Sequence, residues 1–350
     1  MIIKIDGFTN LHVALNTGRS LQYVYNGPAY WTISPGGQVS AQDLKSDDYR
    51  PSFSGHETFP LRYGWLQKAY RAVSEAPTAK DAVHVFRDPE SIARFGVGRN
   101  MVGAIRHWAI GAGILEETKE GLETTWLGSM LFGEDGIDPY LEEDASLWLL
   151  HWHLVSRPRL TSAYWLFNEF RGGSFVRQDI VAPLLKLAQE RGWRRVASTT
   201  VDRDLQCLLR TYIGGRGSSE AGESILAELG LIRPMDKTRS RLSRGRKPNL
   251  PNSVFLHCFN EFWAKFAPDQ ATMSFENAAY APGSPGRVFL LDEDDIVDRL
   301  EQLEEISGGA LAWSETAGLR QIIRAKKRSM KSERRILREA LMSDRLRVAA

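Results

Sequence analysis

The stretch Phe53-Ser-Gly-His-Glu-Thr-Phe-Pro-Leu-Arg-Tyr-Gly-Trp-Leu-Gln-Lys68 sets an imidazole, a carboxylate and a guanidinium into one short polar patch. His56 can act as a general base or a metal ligand, Glu57 as a second ligand, and Arg62 as a clamp on a phosphate. Together they suit metal-assisted phosphodiester hydrolysis, with magnesium or manganese as the divalent ion and Arg62 stabilising the developing charge. A structural reading stands beside this one. Ser54 and Glu57 have capping-box spacing, and Thr58 and Pro60 mark an alternative start for a helix running to about Ser74. Glu57 is then a cap and His56 a hydrogen-bonded loop residue.

A second set of residues could touch nucleic acid. From Asp88 to Gly128 the chain reads as a short helix, a Gly96–Gly98 turn, and a second helix whose apolar side is Met101, Val102, Ile105 and Trp108. Its other side would present Arg99, Asn100, Gly103, Arg106 and His107 to solvent, a mixture able to meet phosphates and base edges. Ile114 to Trp126 reads as two short strands around Glu120-Gly121, a wing; a purely structural three-helix unit is the alternative. A similar order recurs later. Val176 to Arg191 and Ser198 to Tyr212 are amphipathic, the latter opened by Ser198 as N-cap, with Thr199, Thr200, Arg203 and Arg210 on its polar side. Ile225-Leu-Ala-Glu-Leu-Gly-Leu-Ile-Arg-Pro234 and a strand-like Ser253-Val-Phe-Leu-His257 follow, again suggesting a winged helix.

Between those possible strands lies Arg233 to Pro248, where seven cations face one acid. Lys237, Arg239, Arg241, Arg244, Arg246 and Lys247 are interleaved with serine, glycine and proline, so the segment should be mobile and phosphate-seeking. A solvated loop is its bland counterpart. Asp135 to Asp144 is acidic, and carboxylates before the apolar helix Ala145 to Ser156 are explained by its free N–H groups. His151 and His153 lie two apart and make a poor ligand pair. Asp292 to Glu305 reads as a solvated acidic helix, Trp313 to Ile323 as a final packed helix, and the chain from Arg324 onward as basic. That tail could lie across DNA, pair with the acidic helix, or dock a protein.

A chain of 350 residues with net charge +2 implies several domains, and any polyanion affinity must come from local patches. The two cysteines, Cys207 and Cys258, offer neither a disulfide framework nor zinc spacing, which suits a cytoplasmic location. No membrane span or signal layout is present, and no Walker loop or Gly-x-Gly-x-x-Gly fingerprint. The expected fold class is α+β, mostly α, with tandem winged-helix-like modules and a small β-rich N-terminal segment. The expected divisions are 1–50 (β-rich), 51–157 (first helix-turn-helix domain), 158–326 (second, with the basic loop) and 327–350 (basic tail).

The 53–65 run, with Gly96-Val-Gly-Arg-Asn-Met101, Leu147-Trp-Leu-Leu-His-Trp152, Trp165-Leu-Phe-Asn-Glu-Phe170 and Cys207-Leu-Leu-Arg-Thr-Tyr212, resembles a bacterial domain-of-unknown-function family of DNA phosphorothioation operons. The similarity spans roughly Phe53 to Lys326, and no catalytic motif comes with it. It implies a double-stranded-DNA-binding component of a modification and antiphage defence system, similar to its DNA-nicking member. Cysteine desulfurase, sulfurtransferase-like and ATPase proteins of the same operon would be partners. The alternative is a non-catalytic winged-helix adaptor or transcriptional regulator.

Overall fold

The computed structural model describes residues 11–15, 21–25, 44, 46, 49–214, 224–325 and 330–349. Two units result, Met1–Tyr49 and Arg50–Ala350. The first contains the antiparallel pair β1 (Leu11–Leu15) and β2 (Leu21–Tyr25). Apart from Leu44, Ser46, Tyr49 and Arg50, the remainder of the expected β-rich segment lies outside the described residues. The borders expected at 157/158 and 326/327 both fall inside the second unit. About half of the chain is helical with small antiparallel sheets, so the class is α+β, mostly α.

The second unit begins with α1 (Trp65–Ser74), α2 (Ala79–His84), α3 (Ser91–Phe95) and α4 (Arg99–Gly111), then the hairpin β3 (Leu115–Glu117) and β4 (Leu122–Thr124). Gly96, at φ 66°, ends α3 in the left-handed conformation that glycine adopts without cost. α1 opens at Gly64, so neither the capping box nor the Thr58–Pro60 start is used. α5 (Trp126–Phe132) and α6 (Asp144–Val155) follow. Both carboxylate oxygens of Asp138 accept backbone N–H groups, from Glu142 at 3.0 Å and Glu143 at 3.1 Å, which fixes the chain entering α6.

Next come α7 (Thr161–Tyr164) with a π-turn over Trp165–Glu169, β5 (Ser174–Val176), α8 (Gln178–Glu190), α9 (Ser198–Tyr212), a 3₁₀ turn (Ile225–Leu229), β6 (Ile232–Pro234) and β7 (Arg239–Leu242). The sheet order is β5-β7-β6. Ser198 is the first helical residue of α9 rather than its cap, which is Ala197. The chain continues through α10 (Asn252–Phe266), β8 (Thr272–Ser274), α11 (Phe275–Tyr280), α12 (Pro285–Val288), α13 (Glu293–Glu301) and α14 (Leu303–Ile306). It closes with β9 (Leu311–Thr316), β10 (Leu319–Arg324) and α15 (Met330–Ala349).

Three expectations are corrected. Ser253–His257 is helical, inside α10, because Val254 through Phe259 is buried without a break and an apolar run alone does not separate strand from buried helix. Trp313–Ile323 is the hairpin β9–β10; Ala317 and Gly318, at φ 51° and 81°, make a two-residue turn whose twist matches paired strands. Arg233–Pro248 is an ordered hairpin and wrap rather than a mobile loop, for reasons given below. Within the basic tail α15 packs on α10, burying Leu337 and Leu341; Lys326, Lys327 and Arg328 lie outside the described residues. Among the described residues no helix is long and apolar enough to cross a membrane.

The core of this unit is aromatic: Trp108, Trp148, Trp152 and Trp263 are fully buried. His151 of α6 sits inside it. Its Nε2 donates to the carbonyl of Val288 at 2.7 Å, and its Nδ1 accepts from the Tyr212 hydroxyl at 2.7 Å. One imidazole therefore joins α6, α9 and α12, and burial pushes its pKa down to about 3.

Candidate functional site

The loop before α1 carries the sequence's first chemical candidates, and its backbone is unusual. Gly55 has φ 111°, and Glu57 and Thr58 follow at 47° and 68°. Left-handed non-glycine residues persist where surrounding contacts hold them. Here they do: the Thr58 N–H donates to His56 Nδ1 at 3.0 Å, the Phe59 N–H to the His56 carbonyl at 2.8 Å, and Arg210 donates to the Thr58 carbonyl. A Cβ on Gly55 would stand 2.7 Å from His107 Nδ1, so this position accepts only glycine without rearrangement.

The loop is tied to both candidate recognition helices. His56 Nε2 lies 3.0 Å from Asp204 Oδ1 on α9, and Thr211 of α9 accepts the Leu61 N–H at 3.2 Å. Trp108 of α4 donates its indole N–H to the Phe59 carbonyl at 2.9 Å. The His56 ring is 5.6 Å from that of His107 and stacks 6.3 Å from Trp108.

These bonds fix the state of His56. Nδ1 accepts an amide proton, so in the neutral ring Nε2 carries the hydrogen and gives it to Asp204. Neither nitrogen is left to take a proton from a substrate, and the ring is buried. His56 thus positions the Asp204 carboxylate. Glu57 projects outward and is exposed, over Gly103 of α4. Arg62 lies against the Trp65 ring, 5.7 Å from its centroid.

Of the expected nucleic-acid contacts on α4, Arg99 and Asn100 are exposed at its start. Arg106 is half-buried and pairs with Glu117 of β3 at 2.5 Å. His107, expected in solvent, is turned against Gly55 and His56; burial is the main reason its pKa falls to about 3. On α9, Thr199, Arg203 and Gln206 are exposed, while Asp202 is held by Arg177 at 2.8 Å.

The basic segment divides. Lys237, Arg239 and Arg241 are exposed on and around β7. Lys247 is buried, its ammonium donating to the carbonyls of Ser243 at 2.9 Å, Gly245 at 2.8 Å and Leu290 at 3.1 Å. Arg244 donates to the Leu291 carbonyl at 2.8 Å and Gly286 at 3.3 Å, and Arg246 pairs with Asp298. These three cations, expected to seek phosphates, are engaged by the fold because α12 and α13 bring carbonyls and carboxylates to them.

Sequence reasoning misses Asp204. It is 148 residues from His56, and only the folded chain joins them. Among the described residues, no three His, Cys, Asp or Glu side chains form a metal-holding group.

No curated protein matches this chain. Two solved structures do: "Magnesium ion-bound SspB crystal structure" at 26% identity and "SspB crystal structure" at 27%. Each superposes with a TM-score of 0.73, covering 83% of this chain and 88% of the other. The chain is thus similar to SspB in sequence and fold. A protein family of unknown function, DUF4007, matches residues 53–341, and the chain belongs to that family.

Proposed function

We propose that this protein is the DNA-binding component of a phosphorothioation system and cuts one strand of the duplex. The observation that supports the DNA reading is the order α7-β5-α8-α9-β6-β7 with sheet order β5-β7-β6, which we read as a winged helix. α9 takes the place of the recognition helix, with Thr199, Arg203 and Gln206 on its open side, and the β6–β7 turn with Lys237 is the wing. α3 and α4 with the β3–β4 hairpin form a second reader, led by Arg99 and Asn100. Partners are double-stranded DNA and the sulfur-handling and ATPase proteins of such a system.

One of the two similar SspB structures is magnesium-ion-bound, and the donor set of this chain suits such an ion in part. Magnesium takes oxygen ligands, often one or two carboxylates with water and substrate phosphates. Glu57 and Asp204 flank His56 and supply such oxygens; imidazole is the poorer ligand. A divalent ion held by those two carboxylates would polarise a scissile phosphodiester. His56 then orients Asp204 through its N–H, and Arg62, later in the same loop, is the cation proposed for phosphate charge.

Relaxation of supercoiled plasmid in magnesium or manganese tests the cutting. Loss of nicking in Glu57→Gln and Asp204→Asn, with manganese binding weakened in the same variants by paramagnetic resonance, is the expected result. Undiminished nicking in both removes these carboxylates from the reaction. A second reading, a non-catalytic adaptor or regulator, is favoured by the engaged nitrogens of His56. It predicts salt-sensitive duplex binding with no cut in the wild-type protein.

A further inference from the structure

We propose that the solvent face of the β5–β7–β6 sheet holds a pocket for a phosphate monoester, built around Arg233 and Arg241. The pairing register sets Arg233 of β6 directly opposite Arg241 of β7, with Ser174 of β5 completing the row. Both guanidinium groups are exposed, and among the described residues neither has a hydrogen-bond or ion-pair partner. Like charges directly opposed across strands are destabilising. The positions next to them, Ile232 and Leu242, are buried on the other side of the sheet, so the register cannot slip to separate the pair.

A hollow of about 550 Å³ lies beside them, lined by Arg233, Arg241, Arg244, Gly230, Gly245 and Lys247. Arg244 and Lys247 are fastened to backbone carbonyls and supply fixed positive charge at its wall. The Arg233 guanidinium lies over Gly230, 3.5 Å from where a Cβ would stand, so glycine leaves room for this side chain. Glu228 is the acid of the lining, and its carboxylate is engaged by the Tyr63 hydroxyl at 2.6 Å.

Two facing guanidinium forks match an anion with several oxygens and about two negative charges. A phosphate monoester above pH ~6 has that charge, whereas a phosphodiester has half of it. A 5′-phosphate at a DNA end or nick and a free mononucleotide are the two sources of this chemistry. The proposal needs no contact through α9, and only its DNA source rests on the function proposed above.

Thymidine monophosphate and thymidine are the probes, read by thermal shift and calorimetry at low ionic strength. The monophosphate should raise the melting temperature of the full chain and thymidine should not. Arg233→Gln/Arg241→Gln should abolish that rise, while Arg203→Gln on α9 keeps it. Without ligand the double variant should melt at or above the wild-type temperature, because a repulsion is removed. A rise unchanged in the double variant, or absent in the wild type, overturns the pocket. Nicked duplexes ending in 5′-phosphate or 5′-hydroxyl separate the sources: about tenfold preference for the phosphate assigns the DNA end, and equal binding with a retained monophosphate response assigns the mononucleotide. Loss of all duplex binding with the monophosphate response intact refutes the DNA reading alone.

Discussion

Lys237–Arg241 and Arg244–Lys247 are adjacent, similar in composition and opposite in use. The first group stands on β7, the central strand of its sheet, and on the turn before it, with its cations in solvent. The second wraps an ammonium in three carbonyls and is locked from outside by α13, where Asp295 accepts the Lys247 N–H at 2.9 Å and pairs with Arg299 at 3.2 Å. Arg299 in turn donates to the carbonyls of Lys247 at 2.8 Å and Leu250 at 2.9 Å. What separates the two groups is the supply of acceptors: a cation is available to a ligand only where the fold has offered it none.

The largest effect should come from breaking the lock. Arg299→Ala leaves Asp295 buried without its cation, at a cost of about 3–5 kcal/mol in urea unfolding. A loss under 1 kcal/mol would mean that the second group is held no more firmly than the first. Lys247→Met, which removes three donated bonds and leaves their carbonyls short of partners, should lose about 1–3 kcal/mol. It should leave duplex affinity within twofold.

Histidines extend the same contrast. His84 is exposed, whereas His257 is buried beside Trp126, its two nitrogens without hydrogen bonds. Burial holds the His257 pKa at about 4, with Arg334 and Lys265 adding and Glu261 opposing. A folded pKa below the unfolded value near 6.5 means the unfolded chain binds the proton first. Stability is then fully present above about pH 6.5 and declines toward pH 4. Between pH 7.5 and 5.5, His257→Asn should flatten that decline by about 1 kcal/mol; an unchanged decline would mean that burial of this imidazole does not govern it.

The smallest effect on stability belongs to the exposed group. Lys237→Gln and Arg239→Gln should each change unfolding free energy by less than about 0.5 kcal/mol. Each should lower the logarithmic salt slope of duplex binding by about 1. An unchanged slope would remove the wing from the DNA surface.

Local pattern makes α3, α4, α8 and α9 legible from sequence, since their apolar residues recur at helical spacing and glycine ends α3. α10 and the β9–β10 hairpin depart from the sequence expectation for one reason in two forms. A helix buried on most sides loses its polar stripe, and a two-residue turn with left-handed backbone leaves only Ala317-Gly318 as its trace. At the candidate site, His56, Glu57 and Arg62 are visible as types, but the role of His56 is not. That role is decided by Asp204 and by the Thr58 N–H, the first distant in sequence and the second a matter of backbone twist. Likewise the cations of Arg233–Pro248 can be counted in sequence, but their partners come from α12 and α13.

The loop from Gly55 to Leu61 fastens to α9 through Asp204, Arg210 and Thr211 and to α4 through Trp108. A shift of either helix by even an ångström would stretch hydrogen bonds that anchor the same few residues. The backbone between Gly55 and Thr58 is therefore a shared anchor: displacing one helix would load the hydrogen bonds that hold the other.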